Sequence, residues 1–149
     1  MSSINLEKYR GVWYEIAKYP FKYQEDCEKA KAIYKLKGES EISVENQCWT
    51  GDKMIRSRTA TAWVPNTLEP GKLKIEFDGF PRDIGPGDYW IIWTDYEDAI
   101  VGGPSGYTLW WLSRKPTVKA EEVEPMLEKI RSYGYNTDRL MAHPSVIQK

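Results

Sequence analysis

Ala30-Lys31-Ala32-Ile33-Tyr34-Lys35-Leu36 runs into Gly38-Glu39, and the chain resumes with Ile42-Ser43-Val44-Glu45-Asn46-Gln47-Cys48. In the first run Ala30, Ala32, Tyr34 and Leu36 alternate with lysines, Ile33 being the one apolar residue on the lysine side. In the second, Ile42, Val44, Asn46 and Cys48 alternate with Ser43, Glu45 and Gln47. A period of two places alternate side chains on opposite faces of a strand, so both runs read as half-buried strands sharing one interior. Gly38-Glu39 reads as the hairpin turn between them. That turn sets Cys48 opposite about Lys29, close to Cys27, so a disulfide is geometrically conceivable. A reducing compartment would instead keep both as thiols. Two cysteines are too few for a disulfide scaffold and too sparse for a zinc site.

Outward from this hairpin the same alternation recurs. Leu73, Ile75 and Phe77 alternate with Lys72, Lys74, Glu76 and Asp78, whereas 89–94 and 107–113 are apolar on both faces, as in strands covered outside as well as inside. Strands are predicted over 11–19, 28–37, 40–48, 54–64, 72–78, 88–94, 98–103 and 107–114. Eight strands with short connections form an all-β, antiparallel up-and-down barrel, which abolishes sheet edges and is wide enough to hold one small ligand. In a meander alternate loops share one end. The long connections Pro20–Asp26 and Gly79–Gly87 therefore form a mouth together with Trp49–Asp52 and Pro104–Gly106. After the last strand the period changes: Val123, Met126, Leu127, Ile130 and Tyr133 have helical spacing, and Gly134 ends the pattern. A C-terminal helix over about 121–133, packed outside the barrel, is predicted, with an extended tail over 135–149. Pro125 fits only a first turn or a kink, which places the regular helix from near Val123.

The whole 149-residue chain makes one domain, with the barrel over about 11–114. It is 41% hydrophobic and 29% charged with a net charge of −1, so electrostatics supply no reason to expect a nucleic-acid partner. Seven Trp and 10 Tyr suit strands, interfaces and ligand cavities alike. No basic-then-apolar leader opens the chain and no stretch is long enough for a membrane helix. The expectation is a cytoplasmic or peripherally membrane-associated protein, or a secreted or periplasmic one if a signal sequence has been removed.

Three separated segments carry a resemblance over about residues 6 to 140: Gly11-Val12-Trp13, Thr94-Asp95-Tyr96 and Leu112-Ser113-Arg114. In this order they resemble the lipocalin signature. Gly87-Asp88-Tyr89-Trp90-Ile91-Ile92, Ala99-Ile100-Val101-Gly102 and Leu109-Trp110-Trp111 are similar to the branch holding bacterial lipocalin, plant temperature-induced lipocalin and apolipoprotein D. The chain lacks the long acidic tail of the plant members and has a shorter proline loop. The resemblance implies that Trp13 and Arg114 meet at the closed floor, a guanidinium over an indole, with Asp95 and Tyr96 in a turn at the same end.

Strand parity then assigns the lumen. Tyr34 faces inward beside Ala30 and Ala32, small residues that leave space where a packed core would carry larger aliphatics. Asn46 puts an amide on an apolar face, to be satisfied by a ligand, by water or by neighbouring backbone. Arg58 lies on the same face as Ala60 and Ala62, supplying a lumen cation or reaching solvent at the rim. Phe77, Tyr89, Ile91, Trp93, Trp110 and Leu112 complete the wall. In apolipoprotein D-like members, the positions matching Tyr34, Asn46, Phe77, Tyr89, Trp110 and Leu112 contribute to the pocket.

The implied function is storage or transport of a small hydrophobic or amphipathic ligand such as a fatty acid or lysophospholipid, with no catalytic residue, metal or cofactor. His143 is the only histidine, so no Ser–His–Asp arrangement exists. An alternative is a lipocalin-type isomerase. Enzymes of that type use a second-strand lumen cysteine, a position with no thiol here, which leaves only inward-facing Cys48. A second alternative is a membrane-surface or interaction module, possible as a homodimer, docking through Phe80-Pro81-Arg82-Asp83-Ile84.

Overall fold

A computed structural model describes residues 4–19, 29–38, 40–77, 87–104, 108–142 and 147–148. Chain order is α1 (Leu6–Tyr9), β1 (Gly11–Lys18), β2 (Lys29–Leu36), β3 (Glu41–Thr50), β4 (Lys53–Trp63), β5 (Lys72–Phe77), β6 (Gly87–Thr94), β7 (Asp98–Gly102) and β8 (Leu109–Ser113). There follow β9 (Val118–Lys119), α2 (Ala120–Ser132), a 3₁₀ turn (Thr137–Arg139), β10 (Met141–Ala142) and β11 (Ile147–Gln148). Strands β1 to β8 pair antiparallel in sequence order, and β1 pairs again with β8, closing an eight-stranded ring. The eight strands coincide with the predicted runs to within a few residues. The predicted hairpin is present: Ala30 lies opposite Cys48, Tyr34 opposite Val44 and Leu36 opposite Ile42.

Near the mouth β1 leaves β2, whose pairing with it covers only Gly11 to Tyr14. The freed edge is taken by the C-terminal β10, Ala17 opposite Ala142, so the backbone ladder continues where the barrel splays. Helix α2 begins at Ala120, earlier than the expected start near Val123, and Pro125 sits in its second turn. The early start is fixed by Glu122, whose carboxylate accepts from the Lys119 backbone N–H at 2.9 Å and from Lys115 Nζ at 2.7 Å. Proline there removes one N–H, at a turn whose surface residues are exposed.

Apolar side chains form two bodies. The inner one fills the floor half of the barrel with Leu6, Tyr9, Trp13, Ile42, Ala62, Leu73, Ile91 and Ala99 among others. The outer one lies between the wall and α2, built from Ile16, Ala17, Ile100, Leu109, Trp111, Met126 and Ile130.

Candidate functional site

The lumen is built in rows that cross the strands. In one row Trp13, Ala32, Asn46 and Arg58 are successive partners on β1 to β4; in the adjacent row Gly11, Tyr34, Val44, Ala60 and Phe77 follow on β1 to β5. Residues directly opposite in a sheet share a face, and the buried Trp13, Ala32, Tyr34, Val44 and Ala60 mark that face as the interior. Tyr34, Tyr89, Ile91 and Leu112 are buried in the inner body, and Trp110 packs against it. Asn46 and Arg58 stand opposite one another and are half-buried, and Ala30 and Ala32 beside them supply the small side chains. Phe77 stands opposite Ala60 in the ladder.

Trp93 does not belong to this wall. Alternation from Ile91 would turn it inward, but the β6–β7 register shifts between Ile91 and Trp93. One extra residue in a strand reverses parity beyond it. Trp93 therefore lies on the outer face with Ile92, under α2, and Lys129 Nζ sits 3.9 Å from its ring centre.

A second bulge, between Glu15 and Ala17 on β1, creates a feature that parity alone does not reveal. Ile16 and Ala17 both join the outer body, and Lys18 returns to the inside opposite Trp110. Glu15, opposite Leu112, is 3.7 Å from Lys18, and both side chains are at least nine-tenths buried. A charged pair taken out of water costs free energy unless it is satisfied in place, so it marks a polar station in the wall. Arg56 adds another cation toward the mouth, its guanidinium 3.7 Å from Cys48 Sγ. Cys48 is disulfide-bonded; the chain's other cysteine, Cys27, lies outside the described residues.

Toward the floor the polar groups are tyrosines. Tyr89 Oη is 2.6 Å from Tyr34 Oη and 2.6 Å from Tyr9 Oη. All three phenols are buried, and loss of solvation is the first cause that raises each above the ordinary tyrosine range. They are neutral hydrogen-bonding groups at any ordinary pH. Tyr9, on the short α1 ahead of the barrel, was invisible to strand parity; its signal is the helical spacing of Leu6 and Tyr9, the two buried residues of that turn.

Beneath them lies the floor. Arg114 covers the Trp13 ring with its guanidinium carbon 3.9 Å from the centre. It donates to the carbonyls of Lys8, Val12, Tyr9 and Tyr96 at 2.8, 3.0, 3.2 and 3.1 Å. Gly11 passes beneath with φ +107°, and a Cβ there would lie 3.2 Å from Arg114 Nη1. Asp95 Oδ1 accepts from the N–H groups of Glu97 and Asp98, fixing the β6–β7 turn at the same end. Trp13, Asp95, Tyr96 and Arg114 thus occupy the closed end, as the motif reading implied.

A groove of about 230 Å³ is bordered by Tyr14, Lys31 and Trp49 together with the inward residues Glu15 and Ala30. Lys31 Nζ lies 4.6 Å from the Trp49 ring centre, so the aromatic face there is covered by the protein's own cation. No cluster of metal-ligating side chains occurs among the described residues. The expected docking segment Phe80–Ile84 and His143 lie outside the described residues.

A family model described as a lipocalin-like domain matches residues 4–145. Temperature-induced lipocalin-1 of Arabidopsis thaliana is 32% identical over 97% of this chain and 81% of its own length. Outer membrane lipoprotein Blc of Vibrio cholerae is 30% identical over 95% of this chain and 82% of its own. Mouse apolipoprotein D is 29% identical over 93% and 75%. Among solved structures, insecticyanin of the tobacco hornworm Manduca sexta superposes with a TM-score of 0.73 at 20% identity, covering 99% of this chain and 86% of that one. Lobster apocrustacyanin A1 superposes with a TM-score of 0.69 at 20% identity, covering 97% and 80%. At that identity the likeness is one of fold.

Proposed function

The chain belongs to the lipocalin family, and we propose that its barrel binds and carries, or stores, a small amphipathic lipid such as a fatty acid or lysophospholipid. The observation that carries this reading is the composition of the mouth half of the lumen. Half-buried Asn46 and Arg58 stand beside Ala30 and Ala32, with Trp110 packed against the inner body. Among the described residues, Lys18, Arg56 and Arg58 oppose one carboxylate, Glu15, at inward positions, a balance that suits an anionic or phosphate-bearing head group. Affinity would come from the tail, at roughly 0.8 kcal/mol per buried methylene. The polar groups fix orientation rather than supply most of the energy.

Titration with a fluorescent fatty acid tests the reading. Saturable binding is expected in the parent, with weakening in Trp110→Ala and Asn46→Leu while circular dichroism stays unchanged. A parent that binds no chain saturably refutes the proposal. The isomerase alternative loses its support because the Cys48 sulfur is engaged in a disulfide rather than free as a thiol.

One observation favours a second, compatible role in membrane contact. Met54 and Ile55 are 44% and 37% exposed beside Lys53 on the β3–β4 hairpin at the mouth. Co-sedimentation with anionic liposomes should weaken in Met54→Ser/Ile55→Ser; equal pelleting of parent and variant argues against it. The disulfide at Cys48 supports an oxidising compartment, as for a secreted or periplasmic protein.

A further inference from the structure

Tyr34 belongs to β2 and Tyr89 to β6, strands separated by four steps in either direction around the ring. They rise from opposite walls, and their hydroxyls meet at 2.6 Å. Their rings meet edge to face, centres 6.0 Å apart at 61°, so the two phenol side chains together bridge the interior. Tyr9 props the bridge from below, its hydroxyl 2.6 Å from that of Tyr89 and its ring centre 5.2 Å from that of Tyr34. On the floor side Trp13, Ala62, Leu73 and Ala99 are fully sealed at 0% exposure. On the mouth side Asn46, Arg58 and Trp110 are only half-buried. Partial exposure of inward side chains is thus found on the mouth side of the bridge, where Glu15, Lys18, Ala30 and Cys48 are themselves buried.

We propose that the Tyr34–Tyr89 bridge is the end stop of the lumen and limits the length of apolar chain the barrel accepts. The inference rests on the lipid-binding reading and deepens it: the ligand is a single-chain amphiphile lying tail-down, its head among the mouth cations. A methyl terminus that reaches the bridge meets hydroxyls already bonded to one another, so contact costs no hydrogen bond. Going further would part the hydroxyls and leave a buried phenol unpaired. It would also press on Tyr9, whose ring centre lies 5.2 Å from that of Tyr34 and 5.1 Å from that of Trp13.

The test is calorimetric titration of the parent with octanoate, decanoate, dodecanoate, myristate, palmitate and stearate. Affinity should climb about fourfold per methylene while the tail is being buried and then level off or fall at one chain length. Tyr34→Phe and Tyr89→Phe keep the ring volume and should keep that break. Tyr34→Ala and Tyr89→Ala remove the obstruction and should move it to longer chains, with near-UV circular dichroism confirming the fold. Tyr34→Leu and Tyr89→Leu serve where alanine unfolds the barrel, with a smaller shift in the same direction. A rise without a break through stearate in the parent, or a break that stays put in the folded alanine or leucine variants, overturns the end stop alone. Absence of saturable binding by every carboxylate overturns the lipid-binding reading, and the end stop with it.

Discussion

Replacing Arg114 by Met should cost the barrel about 3 kcal/mol. The guanidinium over Trp13 contributes roughly 1 kcal/mol. Its four bonds to carbonyls are unequal. The Tyr9 carbonyl keeps the Trp13 indole N–H at 2.8 Å, and the Lys8 and Val12 carbonyls belong to exposed residues that water can reach. The bond to Tyr96 carries roughly 1 kcal/mol, and the three partly compensated bonds to Lys8, Tyr9 and Val12 carry roughly 1 kcal/mol together. For a chain of this size that is a fall in Tm of roughly 6–12 °C. The assay is urea unfolding followed by tryptophan fluorescence, with the slope m unchanged. Arg114→Lys separates charge from shape. A lysine can sit over the ring but has no planar fork to reach several carbonyls, so it should restore about 1 kcal/mol of the loss. A Met variant within ~1 kcal/mol of the parent, or a Lys variant equal to it, would refute this account of the floor.

Trp93→Ala should lower stability by about 2 kcal/mol, below the range for a fully buried Trp, and leave ligand affinity alone, while Trp110→Ala does the reverse; one thermal melt and one titration per variant decide the matter. Burial raises the Tyr9, Tyr34 and Tyr89 phenols above their unfolded range. Their stabilisation is thus complete below about pH 10 and is lost as pH climbs toward the folded values. With three such groups, stability should fall by as much as ~4 kcal/mol per pH unit above that point, and Tyr34→Phe/Tyr89→Phe should reduce the slope to about one third; equal slopes in alkaline urea titrations would count against the buried cluster. Cys48 should be recovered by non-reducing peptide mapping in a peptide linked to Cys27, and reduction should cost about 2–4 kcal/mol. Titration of two free thiols in the native protein would contradict the bond.

The parts of the fold that alternate cleanly were legible from sequence. On β2 to β4 one face meets solvent and the other the lumen, so lysines and glutamates mark parity residue by residue, and Tyr34, Asn46 and Arg58 fall where alternation puts them. On β6 and β8 both faces are apolar because α2 covers the outside. There Trp93 and Trp110 carry no label saying which is inside. Lys18 is the opposite case: a lysine on β1 reads as an outward residue, yet the bulge returns it to the lumen beside Glu15. The tyrosine bridge could not be read at all, since a hydroxyl contact between β2 and β6 depends on closure of the ring.

The two bulges also explain why the helix sits where it does. Each places two consecutive apolar residues on the outer wall, Ile16 with Ala17 on β1 and Ile92 with Trp93 on β6. Regular alternation would present only every second residue to the outside, too sparse a surface to bury Met126 and Ile130 of α2. Doubling the apolar density on two strands, with Ile100 of β7 and Leu109 and Trp111 of β8 between them, makes a continuous docking surface. The same departure that builds this surface turns Lys18 into the lumen, so helix packing and the polar lining of the mouth share one local cause. A deletion of Ile16 removes the extra residue and leaves Ala17 alone facing out with Lys18 still facing in, so it should loosen α2 in hydrogen exchange while affinity for a carboxylate-headed lipid stays near the parent's. An α2 as well protected as in the parent would show that the doubled apolar residues on β1 are not needed to dock the helix.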